Sequence, residues 1–146
     1  MPLPAATDVV IVGAGPTGLT LGCQLAARGV DFVLLDRAPA GVNESRAAVI
    51  HARTLEVLEP LGLTDALRAG GLIVPRFSAR DRDRLLITLR FDKLPTAYPY
   101  LLMIPQSATE AILARRLNEL GGAVHRPVAL TELHRDGDCA IVNTDA

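Results

Sequence analysis

Three glycines near the amino terminus, Gly13, Gly15 and Gly18, stand at the spacing G-x-G-x-x-G within DVVIVGAGPTGLTLG, Asp8 to Gly22. In a turn of this kind the first glycine permits a tight corner from strand to helix. The second lets a diphosphate approach bare backbone, and the third lets helix and strand pack closely. The free N–H groups and partial positive charge of the helix N-terminus then face the phosphates. Pro16 falls at the first helical position, where its missing N–H costs nothing, and Thr17 lies beside it in the same candidate site. The spacing alone is weak evidence. A dinucleotide site also needs an acid at the end of the next strand, about 20 residues on, to accept hydrogen bonds from a ribose diol. Asp36 stands there, closing DFVLLD. Its ordinary alternative is a solvated carboxylate after a strand. Arg37 follows, either to stack on an adenine or face a phosphate, or as a surface arginine.

These residues need a scaffold, and the chain supplies one. DVVIV is a continuous β-branched run, expected as a parallel strand buried on both faces. PTGLTLGCQLAAR reads as a helix with Leu19, Cys23 and Ala26 on one face, widened by Leu21 and Leu25, and Gly29 ends it. DFVLLD is the second parallel strand. AAVIHARTLEVLEPLGL reads as a helix with Ile50, Leu55 and Leu58 on one face, stopped by Pro60 and Gly62. TDALRAGG is a short helical turn with Thr64 as its cap. RFSARDRDRLLITLRF reads as an antiparallel hairpin about the polar RDRD turn. KLPTAYPY is a connector and YLLMI a strand. SATEAILARRLNELGG is a helix capped by Ser107 or Thr109, with Ile112, Leu113, Leu117 and Leu120 buried and Gly121 at its end. Asp136-Gly137 makes a hairpin turn between LTELHR and DCAIVN.

Two further clusters lie where ligands bind in a doubly wound sheet, beyond the carboxyl ends of the strands. Ser45-Arg46 leads into the second helix, and Arg46 has the planar fork to reach a phosphate. Arg53, two turns along, fits a solvated helix face better. Gln106 stands before the helix that follows Pro105, and reads equally as a ligand contact or a loop glutamine. His51, His125 and His134 have no metal-ligand spacing, and no metal is expected.

At 146 residues with a formal net charge of −1, the chain is long enough for one domain and gives no electrostatic reason to expect nucleic acid or an anionic membrane. The start MPLPAATD does not resemble a signal peptide, and no apolar stretch is long enough to span a bilayer. Cys23 and Cys139 are expected as reduced thiols in a cytoplasmic protein, Cys23 as a small packing residue.

Three stretches together resemble a known family. They are VVIVGAGPTGLTLGCQLAARGVDFVLLDR, SRAAVIHARTLEVLEPLGL and YPYLLMIPQSATEAILARRLNELG. Their order and spacing are similar to the amino-terminal part of FAD-dependent aromatic hydroxylases of the p-hydroxybenzoate hydroxylase type, in the phenol and polyketide branch. The resemblance implies an α/β fold with a Rossmann-like βαβ unit, additional helices and an antiparallel hairpin or meander, incomplete in this chain. It implies that Gly13, Gly15, Pro16, Thr17 and Gly18 bind the FAD diphosphate and Asp36 the adenosine ribose, where the family more often has glutamate. Arg37 would lie by the adenosine end, with Arg46 and Gln106 also on the cofactor. It implies NAD(P)H as reductant, with molecular oxygen and a small aromatic molecule as substrates. No acid–base catalyst is needed, because the cofactor carries the hard chemistry.

The chain also departs from that pattern. The family's Asp-Gly fingerprint follows a strand, whereas Asp136-Gly137 lies in a polar turn. A later Gly-Asp motif and the large substrate-binding sheet are missing. Residues 1–146 are therefore expected to be one FAD-binding domain from the front of a longer enzyme, with 76–92 leaning towards a missing substrate domain and no turnover by the chain alone. Rival readings are another FAD-dependent oxidoreductase, an NAD-dependent dehydrogenase and a non-catalytic dinucleotide-binding remnant. A disulfide reductase would need a paired-cysteine motif that is absent. The hairpin at 76–92 argues against a dehydrogenase continuing towards a six-stranded sheet.

Overall fold

The structure, a computed structural model, describes residues 3–39 and 49–146. In chain order its elements are β1 (Val9–Val12), α1 (Pro16–Ala26), β2 (Phe32–Leu35), β3 (Val49–Ile50), α2 (Ala52–Leu58), α3 (Thr64–Gly70) and β4 (Leu72–Val74). They continue with β5 (Arg76–Asp81), β6 (Arg84–Arg90), β7 (Leu101–Met103), α4 (Gln106–Glu119), β8 (Val124–His125), β9 (Leu130–Asp136) and β10 (Cys139–Thr144). Two compact units result, Met1–Asn43 with Leu113–Ala146 and Glu44–Ile112.

The first unit holds a parallel sheet in the order β1-β2-β8. Side chains alternate across it. Val33 and Leu35 face one side, packed with Val128, Leu3 and Val142. Leu34 faces the other, where α1 and the last turns of α4 bring Leu19, Cys23, Leu113 and Leu117 into the core. A side-chain carbon on Gly22 would lie 3.4 Å from both Leu117 and Phe32, so the helices and strand meet at ordinary van der Waals distance. β1 departs from the expected burial on both faces. Ile11, paired with Leu34, is buried, but Val10 and Val12 are exposed, Val12 by 56%. The reason is its place at the edge of the sheet among the described residues. Leu21 also departs from expectation: it is 44% exposed, because it lies two residues from both Leu19 and Cys23 and so turns away from them. Gly18 and Gly22 occupy the buried face in its place. The closing hairpin pairs β9 with β10, and its turn is Gly137-Asp138, with Asp136 the last residue of β9.

The second unit carries an antiparallel sheet in the order β3-β7-β4, with Leu55, Leu58, Leu61, Leu67, Leu102 and Ile104 buried. Here the long helix expected over 47–63 is shorter. Val49 and Ile50 pair with Met103 and Leu102 as β3, and the helix starts at Ala52, after His51. Adjacent β-branched residues opposite an open strand edge favour the ladder. Residues 47 and 48 lie outside the described residues. A 3-10 turn at Glu59–Leu61 follows, and Gly62 closes it at φ +71°, as the glycine stop predicts. Thr64 is the first residue of α3 and not its cap, because the buried Leu63 takes the cap position and its carbonyl accepts the Leu67 N–H.

The hairpin expected over residues 76–92 forms as β5 and β6, turning through Arg82, at φ +51°, and Asp83. Phe77 faces Leu89 and Ala79 faces Ile87 on one side of it. Ser78 and Thr88 join hydroxyls at 3.1 Å on the other. Every residue of β6 is exposed.

Candidate cofactor site

The glycine turn is built from the backbone outward. Gly13 sits at φ +100°, a conformation that a side chain disfavours, and its N–H donates to the Leu35 carbonyl at 2.8 Å. Gly13 thus leaves β1 while still tied to β2. Gly18 lies against that corner. A side-chain carbon there would collide with the Gly13 carbonyl oxygen and come within 3.4 Å of the Ile11 side chain. Gly15 is the N-cap of α1 and Pro16 its first residue, as expected. The N–H groups of Gly15, Thr17 and Gly18 precede the first intrahelical bond, and Gly15 makes no side-chain cap. With no acid in the first turn to repel it, an anion meets donors and a favourable dipole.

Asp36 is held as firmly as the turn. Its backbone N–H donates to the His125 carbonyl at 3.0 Å and its carbonyl accepts the Val128 N–H at 2.9 Å. Its carboxylate Oδ2 accepts the Ala14 N–H at 2.7 Å, and Oδ1 accepts the Ala38 N–H at 2.8 Å. The Arg126 guanidinium stands 3.4 Å from Oδ2 and also donates to the Ala14 carbonyl at 3.3 Å. A carboxylate has about four acceptor positions. The two backbone bonds leave room for a sugar hydroxyl, on a carboxylate whose direction is already fixed. This is not a freely solvated acid.

The structure therefore brings Gly13, Gly15, Pro16, Thr17, Gly18 and Asp36 together in the first unit. Arg37 is exposed directly after Asp36. Arg46 lies outside the described residues. Gln106 belongs to the second unit and is the first residue of α4, not the residue before it, because the Pro105 carbonyl accepts the Thr109 N–H and so starts the helix. Ser107 and Thr109 consequently lie inside the first turn, and neither is its cap. The Gln106 amide donates to Glu110 at 2.8 Å.

Arg126, the partner of Asp36 and Ala14, was not legible in the sequence. The available signal was topological: a third parallel strand ends beside the second, and the residue after it joins the same edge. Arg53 is exposed and pairs with Glu56 at 2.9 Å. Thr96 donates its hydroxyl to the same carboxylate at 2.6 Å. Those bonds, Thr96 first and Arg53 second, hold Glu56 below the usual carboxylate range. Among the described residues no group of three or more His, Cys, Asp or Glu is placed to hold a metal. No helix of the described residues is long and apolar enough to cross a membrane.

A turn that excludes a side chain at Gly18, an uncapped helix N-terminus and a fixed acid at the end of β2 fit the diphosphate and ribose of FAD. The model of the family described as FAD binding domain matches residues 6–144. The chain belongs to that family. This FAD-binding domain is 46% identical over 135 residues to a 6-methylpretetramide 4-monooxygenase of Streptomyces rimosus, covering 90% of this chain and 24% of that protein. Its fold is similar to the anhydrotetracycline hydroxylase OxyS of Streptomyces rimosus, with a TM-score of 0.83 and 38% identity over 94% of this chain and 28% of that one. It is also similar to the p-nitrophenol 4-monooxygenase PnpA of Pseudomonas putida, with a TM-score of 0.86 and 27% identity over 93% of this chain and 35% of that one. The chain thus spans about a quarter of the length of the curated relatives it matches.

Proposed function

We propose that this chain supplies the adenosine-diphosphate half of the FAD site in an NAD(P)H-dependent monooxygenase that hydroxylates phenolic or polyketide rings with molecular oxygen. The observation that carries the reading is the union of turn and acid: Gly18 packed against the Gly13 carbonyl, and Asp36 bonded to the Ala14 N–H between the first two glycines. In this reading Gly13, Gly15, Pro16, Thr17 and Gly18 hold the diphosphate, Asp36 takes the ribose diol and Arg37 lies by the adenosine. Arg46 and Gln106 contact the cofactor further along. FAD, when bound, supplies hydride acceptance and oxygen activation. The chain's residues bind it, orient it and fix its adenosine end.

The hairpin of β5 and β6 faces the substrate layer of the whole enzyme. Phe77, Ile87 and Leu89 form an apolar face that the described residues of their own unit leave open, as a face covered by further structure would be. The reading also places the enzyme in the cytoplasm, where Cys23 and Cys139 stay reduced, consistent with both being free.

Titration of the chain with FAD, followed by quenching of flavin fluorescence, tests this. The expected result is saturable binding that ADP competes away and FMN, which lacks the adenosine half, does not. Binding of FMN in place of FAD, or none of either, would overturn the reading. The chain alone is expected to show no NAD(P)H-dependent hydroxylation of a phenol.

A further inference from the structure

Seven ion pairs occur among the described residues, and six of them join residues two to four apart in sequence. The exception is Arg126 with Asp36, which links the ends of β8 and β2. It is also the most sheltered, with side chains 20% and 13% exposed. Screening by water and salt is weaker there than at the surface.

The geometry closes a ring. The Ala14 N–H donates to Asp36, Asp36 faces Arg126, and Arg126 donates to the Ala14 carbonyl. Both polar groups of Ala14 are thereby tied down, and Ala14 lies between Gly13 and Gly15. The guanidinium also offsets the Asp36 charge, which would otherwise oppose an anionic diphosphate at the same turn.

We propose that Arg126 is a positioning residue of the FAD site, which aims Asp36 at the ribose and fixes the glycine turn through Ala14. The inference rests on the reading that Gly13 to Gly18 and Asp36 hold the cofactor. Both contacts come from one guanidinium nitrogen, Nη2, whose N–H groups are fixed in the plane of the fork, whereas a lysine ammonium is a strongly hydrated point charge on a flexible stem.

FAD affinity of the 146-residue chain by fluorescence quenching, for wild type, R126K, R126M, D36A and the D36A/R126M pair, tests it. Charge-assisted bonds of this kind correspond to about a tenfold effect. R126M is expected to weaken FAD binding about tenfold, with R126K between it and wild type. In the D36A background the same change should cost clearly less than in wild type, because the share carried by Asp36 is gone and only the bond to the Ala14 carbonyl remains to be lost. Without cofactor, amide exchange at Ala14 should quicken in R126M while the amides of β2 keep their protection. An equal loss in both backgrounds, or exchange rising across the whole sheet, would reduce Arg126 to a direct ligand or a merely structural residue. Wild-type binding that R126M leaves unchanged sinks this inference alone. Failure of wild type to bind FAD sinks the underlying site reading and the role of Arg126 with it.

Discussion

The Asp36 carboxylate accepts the Ala14 N–H at 2.7 Å, so the acid that ends β2 is bonded into the turn that follows β1. One side chain supports the backbone of the glycine turn and, in the proposed reading, also takes the ribose. Its loss acts twice. D36A should weaken FAD binding by about 10- to 100-fold, from two lost bonds to a charged group. D36N keeps one oxygen acceptor and should lose less. Equal losses in the two variants, read by fluorescence titration, would contradict the double role.

Gly18 is the tightest point in the turn. A methyl group there meets the Gly13 carbonyl, which is backbone and cannot swing aside. G18A should therefore abolish measurable FAD binding and lower stability by about 1–3 kcal/mol. At Gly22 the nearest atoms are side-chain ends at 3.4 Å, so G22A should fold with little change. Thermal unfolding of the pair separates these outcomes.

Glu56 gives the chain a defined pH response. Its carboxyl is held below the usual range by the Thr96 hydroxyl and then by Arg53. A depressed folded pKa stabilises the protein above the unfolded value and loses that contribution as pH falls through the folded one. T96V should thus lower stability at neutral pH and narrow the difference between neutral and strongly acidic pH. Urea unfolding at both pH values checks this, and an unchanged difference would refute it.

The two thiols should part company chemically. Burial raises the Cys23 thiol above its ordinary value, with Arg116 only partly opposing, while Cys139 is exposed. Iodoacetamide at mildly alkaline pH should label Cys139 and spare Cys23 until the chain unfolds. Mass spectrometry of the peptides reads the order directly. Equal labelling of the folded chain would mean that the α1–α4 interface opens readily.

The turn, the acid and the presence of each helix, though not every helix start or cap, were legible because local rules decide them. Glycine spacing, a proline at the first helical position and β-branched runs specify the βαβ unit whatever surrounds it. Two kinds of feature escaped. Val49 and Ile50 fit a helical face as well as a strand, and only the neighbouring β7 settles the choice. Arg126 is an ordinary arginine after a two-residue strand, and acquires its partners only when β8 is laid beside β2. Both depend on contacts between residues far apart in sequence, which spacing does not encode.

The hairpin of β5 and β6 has a consequence for handling the protein. Among the described residues no further strand pairs with this two-stranded ribbon, and open edges beside an apolar face are a template for strand addition by another molecule. Arg76, Arg80, Arg84 and Arg90 lie along that ribbon, with Arg82 in its turn, all exposed. Their charges act as gatekeepers that discourage edge-to-edge stacking. Neutralising them would turn this exposed ribbon into a nucleus for aggregation.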